Sequence, residues 1–274
     1  TSEKGKTDFV HYFIAIGALM MIALIIFLIF VRENQWAQEM RELTEKYDLD
    51  AESEERKEHG GKLSRGQLTS LIFLLSSVVL WFTGYNAITS KLSPYVGDLL
   101  KYDYNVAFII ANGAAIVSFI PVGILSTKIG RKKAIIAGVS LLTVSFFIAS
   151  FIRADSPSWL LYGLLGLVGI AWATINVNSF PMVVELAHGS DVGKFTGYYY
   201  TASMAAQIIT PILSGGIMDL YGWMNGLAKD DPLRMTPLFP YATVFVFLSL
   251  ITMLFVKHGD TKVVDMSDYE EYDI

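Results

Sequence analysis

Gly123-Ile124-Leu125-Ser126-Thr127-Lys128-Ile129-Gly130-Arg131-Lys132 is a short basic hairpin set between two long apolar runs. A Lys or Arg at the centre of a bilayer costs ~3 kcal/mol or more, so this loop cannot follow its flanking helices into lipid. It stays on the side of the membrane where Lys and Arg accumulate, which is the cytoplasm. The rest of the chain fits that reading. It is 53% hydrophobic and 17% charged over 274 residues, whereas about a quarter of the residues in a soluble domain are charged. There is no cysteine, which excludes a disulfide framework and a thiolate metal site. No cofactor is implied. Nucleic-acid binding is not expected, because the basic residues flank membrane spans and the pI is about 5.4.

Seven apolar runs are long enough to cross ~30 Å of hydrocarbon at ~1.5 Å per residue. They are expected at Phe9–Val31, Gln67–Ser90, Tyr104–Leu125, Ala134–Phe151, Trp159–Val184, Phe195–Asp219 and Pro237–Val256. The first is too long for a signal-peptide core and lacks a cleavage site of small residues, so it reads as a retained span. With the N-terminus outside, the inside segments carry fourteen Lys and Arg and the outside segments seven. This bias predicts an outside N-terminus and a cytoplasmic C-terminus in the cytoplasmic membrane. Segment 32–66 holds ten acidic and seven basic residues and reads as a solvated cytoplasmic linker. Within it, Trp36, Met40, Leu43 and Tyr47 suggest a surface helix with one apolar face. Residues 258–274 read as an acidic cytoplasmic tail.

Side-chain amides divide the spans. Asn86 lies in the second, Asn112 in the third, Asn176 and Asn178 in the fifth and Gln207 in the sixth, with none in the first, fourth or seventh. Amides in hydrocarbon need protein or water partners. The second, third, fifth and sixth spans are therefore expected to line an interior, and the fourth and seventh to face lipid. Leaving out the first span, two amide-bearing helices followed by an apolar one occur twice. Pro121, Pro181 and Pro211 are candidate kinks, and Gly163, Gly166 and Gly169 form a stripe suited to close helix packing.

The hairpin closely resembles the Gly-x-Leu-x-Asp-x-x-Gly-Arg-Lys/Arg loop of the major facilitator superfamily of secondary transporters. Gly123, Leu125, Gly130, Arg131 and Lys132 match, while Thr127 stands at the acidic position. The resemblance implies that this copy lacks the charged latch between the two halves of the transporter. Three further stretches, Trp81–Ala87, Ala171–Met182 and Gly193–Tyr200, look like bacterial relatives of the sucrose/proton symporters, near the glycoside–cation symporters. The likeness spans residues 67–257. It implies an all-α membrane fold: the sixth helix of a twelve-helix transporter (residues 1–31), the linker (32–66) and the C-terminal six-helix half (67–257), built of two inverted three-helix repeats. On this alignment the chain is a fragment lacking the first five helices, and its missing N-terminal half is a required partner. Alone it is expected not to transport.

A sugar site needs amides and hydroxyls for the solute's hydroxyls and an aromatic face for its C–H surface. The candidates are Trp81, Tyr85, Asn86, Asn112, Trp172, Asn176, Asn178 and Gln207. Gly123, Gly130, Arg131 and Lys132 are candidates for a conformational loop. Glu185 and Asp219 are carboxylates close to span ends, and no Asp or Glu falls in the centre of a span, so a proton-coupling carboxylate is expected in the missing helices. The expected partners are a small solute, a sugar by resemblance, a co-transported proton and the lipid bilayer. The alternatives are a non-sugar solute or a seven-helix receptor. A retinal-type receptor would need a Lys in the last span, which has none. An enzyme is not indicated: His11, His59, His188 and His258 lie at span ends or in loops, and no catalytic constellation falls at membrane depth.

Overall fold

The computed structural model describes residues 10–30, 63–186 and 192–258. The expected surface helix around Trp36, most of the 32–66 linker, His188 and nearly all of the acidic tail lie outside these residues. Every regular element described is helical. α1 spans Val10–Phe30, α2 Arg65–Pro94, α3 Tyr104–Ile129, α4 Arg131–Ala149, α5 Ser158–Val184, α6 Val192–Met224 and α7 Leu238–Leu254. A π turn at Tyr95–Leu99 extends α2, and a 3₁₀ turn at Pro232–Met235 precedes α7. Seven helical stretches are long and apolar enough to cross a membrane, the last of them counted from the 3₁₀ turn, Pro232–Leu254.

The helix ends follow local chemistry. Ser64 and Gln67 form a reciprocal capping box at the start of α2: the Ser64 hydroxyl accepts from Gln67 N–H at 3.2 Å, and Gln67 Oε1 accepts from Ser64 N–H at 3.0 Å. Asp103 caps α3 by accepting from Asn105 N–H at 2.7 Å. Between α3 and α4 a single residue, Gly130, makes the turn at φ +90°, a conformation that glycine adopts without steric cost. Pro121, Pro181 and Pro211 lie inside continuous α3, α5 and α6. The break in α-helical hydrogen bonding comes instead just after Pro94, in the π turn.

The chain divides into two compact units, residues 1–61 and 62–274. In the first, α1 is the described helix. In the second, α5 packs on α3 and α4, α2 packs on α6 and α7, and α4 packs on α7. Exchanging the triplet α2–α3–α4 for α5–α6–α7 leaves this pattern unchanged. The first helix of each triplet therefore packs on the second and third helices of the other.

Lipid offers no hydrophobic force to push helices together, so close backbone approach and interhelical hydrogen bonds decide the packing. Along α2, Ser70, Ser77 and Gly84 recur every seven residues and face α7. Ser70 Oγ lies 3.0 Å from His258 Nδ1 and accepts the Lys257 N–H at 3.1 Å. Ser77 and Ser249 join hydroxyls at 2.8 Å, and Ser249 also donates to the Ser77 carbonyl at 2.9 Å. A Cβ on Gly84 would stand 2.8 Å from the Ala242 carbonyl oxygen of α7. On α4, a Cβ on Gly138 would stand 2.9 Å from Ile175 of α5 and 3.2 Å from the Ala171 carbonyl oxygen. On α5, Gly169 lies against the Ala111 carbonyl of α3 with no room for a side chain, whereas Gly163 has nothing near it.

The burial pattern divides the faces of α4 and α7, the helices expected to meet lipid. Each packs one face into the unit, through Val139, Leu142 and Phe146 on α4 and Phe239, Ala242 and Val246 on α7, and leaves another exposed, with Val144 and Phe147 on α4 and Val244 and Phe247 on α7. α3 and α6 instead leave long apolar stripes exposed, including Ile116, Val117 and Ile120 on one and Ile208 and Ile212 on the other. Asn112 and Gln207, on those same helices, are exposed as well. Amide content therefore does not mark the helices buried inside this unit. It marks two of the helices whose faces the unit leaves uncovered.

Gly169→Ala is expected to lower unfolding stability of the purified protein by about 1–3 kcal/mol through overpacking against Ala111. Gly163→Ala should leave it within about 0.5 kcal/mol. Detergent or thermal unfolding followed by circular dichroism measures both.

Candidate functional site

The first helices of the two triplets, α2 and α5, bring a row of aromatic side chains together. Trp81 and Tyr85, one turn apart on α2, lie with ring centroids 6.4 Å apart. Tyr85 stacks on Trp172 of α5 at 6.0 Å and an interplanar angle of 24°. Phe119 of α3 meets Trp172 edge-on, at 5.7 Å and 83°. Sequence reasoning missed Phe119. It lies seven residues after Asn112, so the two share a helix face, and that spacing was the available signal. Phe82 stacks against Trp81 at 3.9 Å. Offset and edge-to-face pairs of this kind contribute ~0.5–1.5 kcal/mol each. They hold a rigid wall of π faces with little side-chain freedom left to lose.

The candidate amides are placed unevenly around this wall. Asn176 is half-buried, one turn beyond Trp172, and donates to the Trp172 carbonyl at 3.2 Å. Asn86 is half-buried beside Tyr85, and its Nδ2 is buried without a hydrogen-bond partner. Asn112 is exposed and donates to the Phe108 carbonyl at 2.9 Å. Gln207 is exposed on α6. Two candidates are wholly interior. Trp81 is 1% exposed with its Nε1 unpartnered, and Asn178 is 0% exposed, donating to the Thr174 carbonyl at 2.8 Å. Tyr85, Asn86, Trp172 and Asn176 thus come together with Phe119, backed by the buried Trp81. No group of side chains suited to holding a metal ion occurs among the described residues.

At the hairpin, Gly130 turns the chain so that Arg131 begins α4 and reaches the end of α5. Arg131 Nε donates to Glu185 Oε1 at 2.5 Å, with both side chains about a quarter exposed. Thr127, at the position where the resembled loop is acidic, donates to the Ile124 carbonyl of its own helix at 2.8 Å. Gly123 has open space around it. Glu185 is therefore engaged in an ion pair tying α4 to α5. The second carboxylate near a span end, Asp219, is paired with Arg234 at 2.5 Å.

The opposite end of the bundle is pinned by Tyr102. Its hydroxyl donates to the Arg153 carbonyl at 2.8 Å and also contacts the Ser156 carbonyl. Burial first, then the Asp155 carboxylate and Tyr162, raise its phenol above the ordinary value. The shift extends its role as a donor further into the alkaline range.

A family model described as Major Facilitator Superfamily matches residues 104–262. No curated protein matches the chain. Among solved structures, it is similar to a peptide transporter in complex with sulfate, with a TM-score of 0.57 and 15% identity over 73% of this chain and 42% of that one. It is also similar to the E. coli fucose:proton symporter, with a TM-score of 0.55 and 18% identity over 71% of this chain and 50% of that one. At these identities the likeness is one of fold, and the chain spans half or less of each structure's length.

The Arg131–Glu185 pair is expected to show a coupling of about 1 kcal/mol in a double-mutant cycle of Arg131→Gln and Glu185→Gln, read from unfolding midpoints. Additive losses would show that the two side chains act independently.

Proposed function

Because the chain belongs to the Major Facilitator Superfamily, we propose that it forms part of a secondary transporter that moves a small polar solute by alternating access. In this reading the chain is an integral membrane protein of the cytoplasmic membrane, with the hairpin and C-terminus in the cytoplasm. Residues 1–31 are the last helix of the N-terminal half, 32–66 the cytoplasmic linker between halves and 67–257 the C-terminal half. A preceding N-terminal half supplies the facing wall of the cavity. The exposed faces of α3 and α6, which carry Asn112 and Gln207, support this: uncovered apolar stripes that also bear amides suit helices that meet another half around a polar space.

One observation carries the choice of solute. Tyr85, Trp172 and Phe119 form a π wall, and Asn86 and Asn176 stand at its edge. A sugar presents an apolar C–H face to aromatic rings and a rim of hydroxyls to amides. The proposed solute is therefore a sugar, moved by proton symport. One structural neighbour is by its title a fucose:proton symporter, which fits this reading. The other is a peptide transporter, and a non-sugar solute is the second reading. Glu185 and Asp219 are already in ion pairs, and no carboxylate lies mid-span. Both observations support assigning the proton-coupling group to the other half.

The test is uptake of radiolabelled sugars by the full-length protein in proteoliposomes under an inward proton gradient. Trp172→Ala and Asn176→Ala are each expected to cut uptake roughly tenfold, equivalent to about 1.4 kcal/mol. Glu185→Gln should retain proton dependence. Competition by dipeptides but not by sugars would overturn the sugar assignment and leave the transporter reading standing.

A further inference from the structure

Away from the aromatic wall, at the end of the bundle opposite the basic hairpin, a cavity of about 530 Å³ opens between the end of α2, the π turn, the last turns of α6 and the 3₁₀ turn. Its size falls in the range of small-molecule sites, ~300–1,000 Å³. The wall is built around Arg234. Gly222 leaves room for that side chain, since a Cβ there would stand 2.7 Å from the guanidinium carbon. Arg234 is 14% exposed and paired with Asp219, so these two charges cancel within the wall.

Six further charges line the same concavity: the ammonium groups of Lys91, Lys101 and Lys229 and the carboxylates of Asp98, Asp230 and Asp231. Asp231 is taken up locally, accepting the Leu233 N–H at 2.9 Å to cap the 3₁₀ turn, which leaves five. No ion pair or side-chain hydrogen bond joins any of these five to another described residue, although both signs share one concavity; Asp98, Lys101, Lys229 and Asp230 are exposed and Lys91 is half-buried. Isolated surface charges are ordinarily hydrated and need no partner. Here, however, they are grouped around a cavity, and Lys101 is held at its edge with φ +62°. That left-handed conformation costs a non-glycine residue ~1 kcal/mol or more.

The charge pattern restricts what the cavity can hold. A metal cation would meet three ammonium groups, and a simple anion would meet two carboxylates. A neutral sugar would leave all five charges unanswered. A molecule bearing one anionic and one ammonium group a few bonds apart complements both sets. We propose that this cavity binds a small zwitterion, its anionic end toward the three lysines and its ammonium toward Asp98 and Asp230. This site is distinct from the aromatic wall and does not depend on the solute assigned there. The same chemistry is offered by a free amino acid and by the headgroup of an ethanolamine phospholipid.

This chain carries no cysteine, so Met235→Cys adds its one thiol, in the cavity wall, and any cysteine in the rest of the full-length protein is first replaced by serine. The measurement is its alkylation rate by a small maleimide, in the full-length protein in nanodiscs of phosphatidylglycerol alone. Alanine at about ten times its Kd is expected to slow the reaction roughly tenfold if the free zwitterion binds. Slowing only when phosphatidylethanolamine is added to the disc would support the same site with the headgroup as ligand. The proposal is overturned if neither slows alkylation, or if sodium acetate, ammonium chloride or sucrose slows it equally. It is also overturned if protection survives in the Lys101→Gln/Asp230→Asn variant. The comparison among ligands needs only the Met235→Cys protein, so it stands even if the charge variant does not fold.

Discussion

Three glycines set the distances on which the six-helix unit depends. Gly84 brings α2 against the Ala242 carbonyl of α7, Gly138 brings α4 against α5 at Ala171, and Gly169 brings α5 against the Ala111 carbonyl of α3. In hydrocarbon, two apolar helix faces gain little by meeting each other rather than lipid. Contacts that bring backbone to backbone, with the dispersion and Cα–H···O interactions that follow, are what distinguish one arrangement from another. The buried Ser77–Ser249 hydroxyl pair adds register along the α2–α7 seam, because a hydroxyl left without a partner there would be costly. Once α2 and α5 are fixed against the opposite triplets, Tyr85 and Trp172 are within stacking distance, and Phe119 follows through the Gly169 contact.

The helices themselves were legible because hydropathy over twenty or so residues is a strong signal and little else competes with it. The expected span Tyr104–Leu125 is the α-helix Tyr104–Ile129, and Trp159–Val184 is Ser158–Val184. The turn at Gly130 was equally legible, since a hairpin that short between membrane helices calls for a residue free to adopt positive φ. The glycine stripe was legible only in part. Gly163, Gly166 and Gly169 look equivalent in sequence, yet Gly169 alone is pressed against a neighbouring backbone carbonyl.

The faces of the helices were not legible. In a soluble helix, polar residues mark the outward face. Here both the outward and the inward faces are apolar, so amide counts were the only guide, and they gave no sign of how fully one face of α4 and of α7 is packed. Asn178 shows why: a single amide can be satisfied within its own helix, by the Thr174 carbonyl, and sit wholly buried. Trp81 looked like a solute-facing ring and is instead the buried support behind Tyr85. The engagement of Glu185 was hidden for another reason: its partner Arg131 is 54 residues away in sequence, and only the turn at Gly130 brings the two together.

In the proposed transporter the wall of Tyr85, Trp172 and Asn176 faces a water-filled path, while the outer face of α4 meets lipid. The most direct measurement is reaction of single cysteines with a membrane-impermeant thiol reagent, in the full-length protein in native membranes, with no endogenous cysteine in this chain to remove. Asn176→Cys is expected to react, and to be protected by the transported solute. Val144→Cys, on the exposed apolar face of α4, is expected to stay unreactive. Silence at Asn176→Cys with reaction at Val144→Cys would contradict the account.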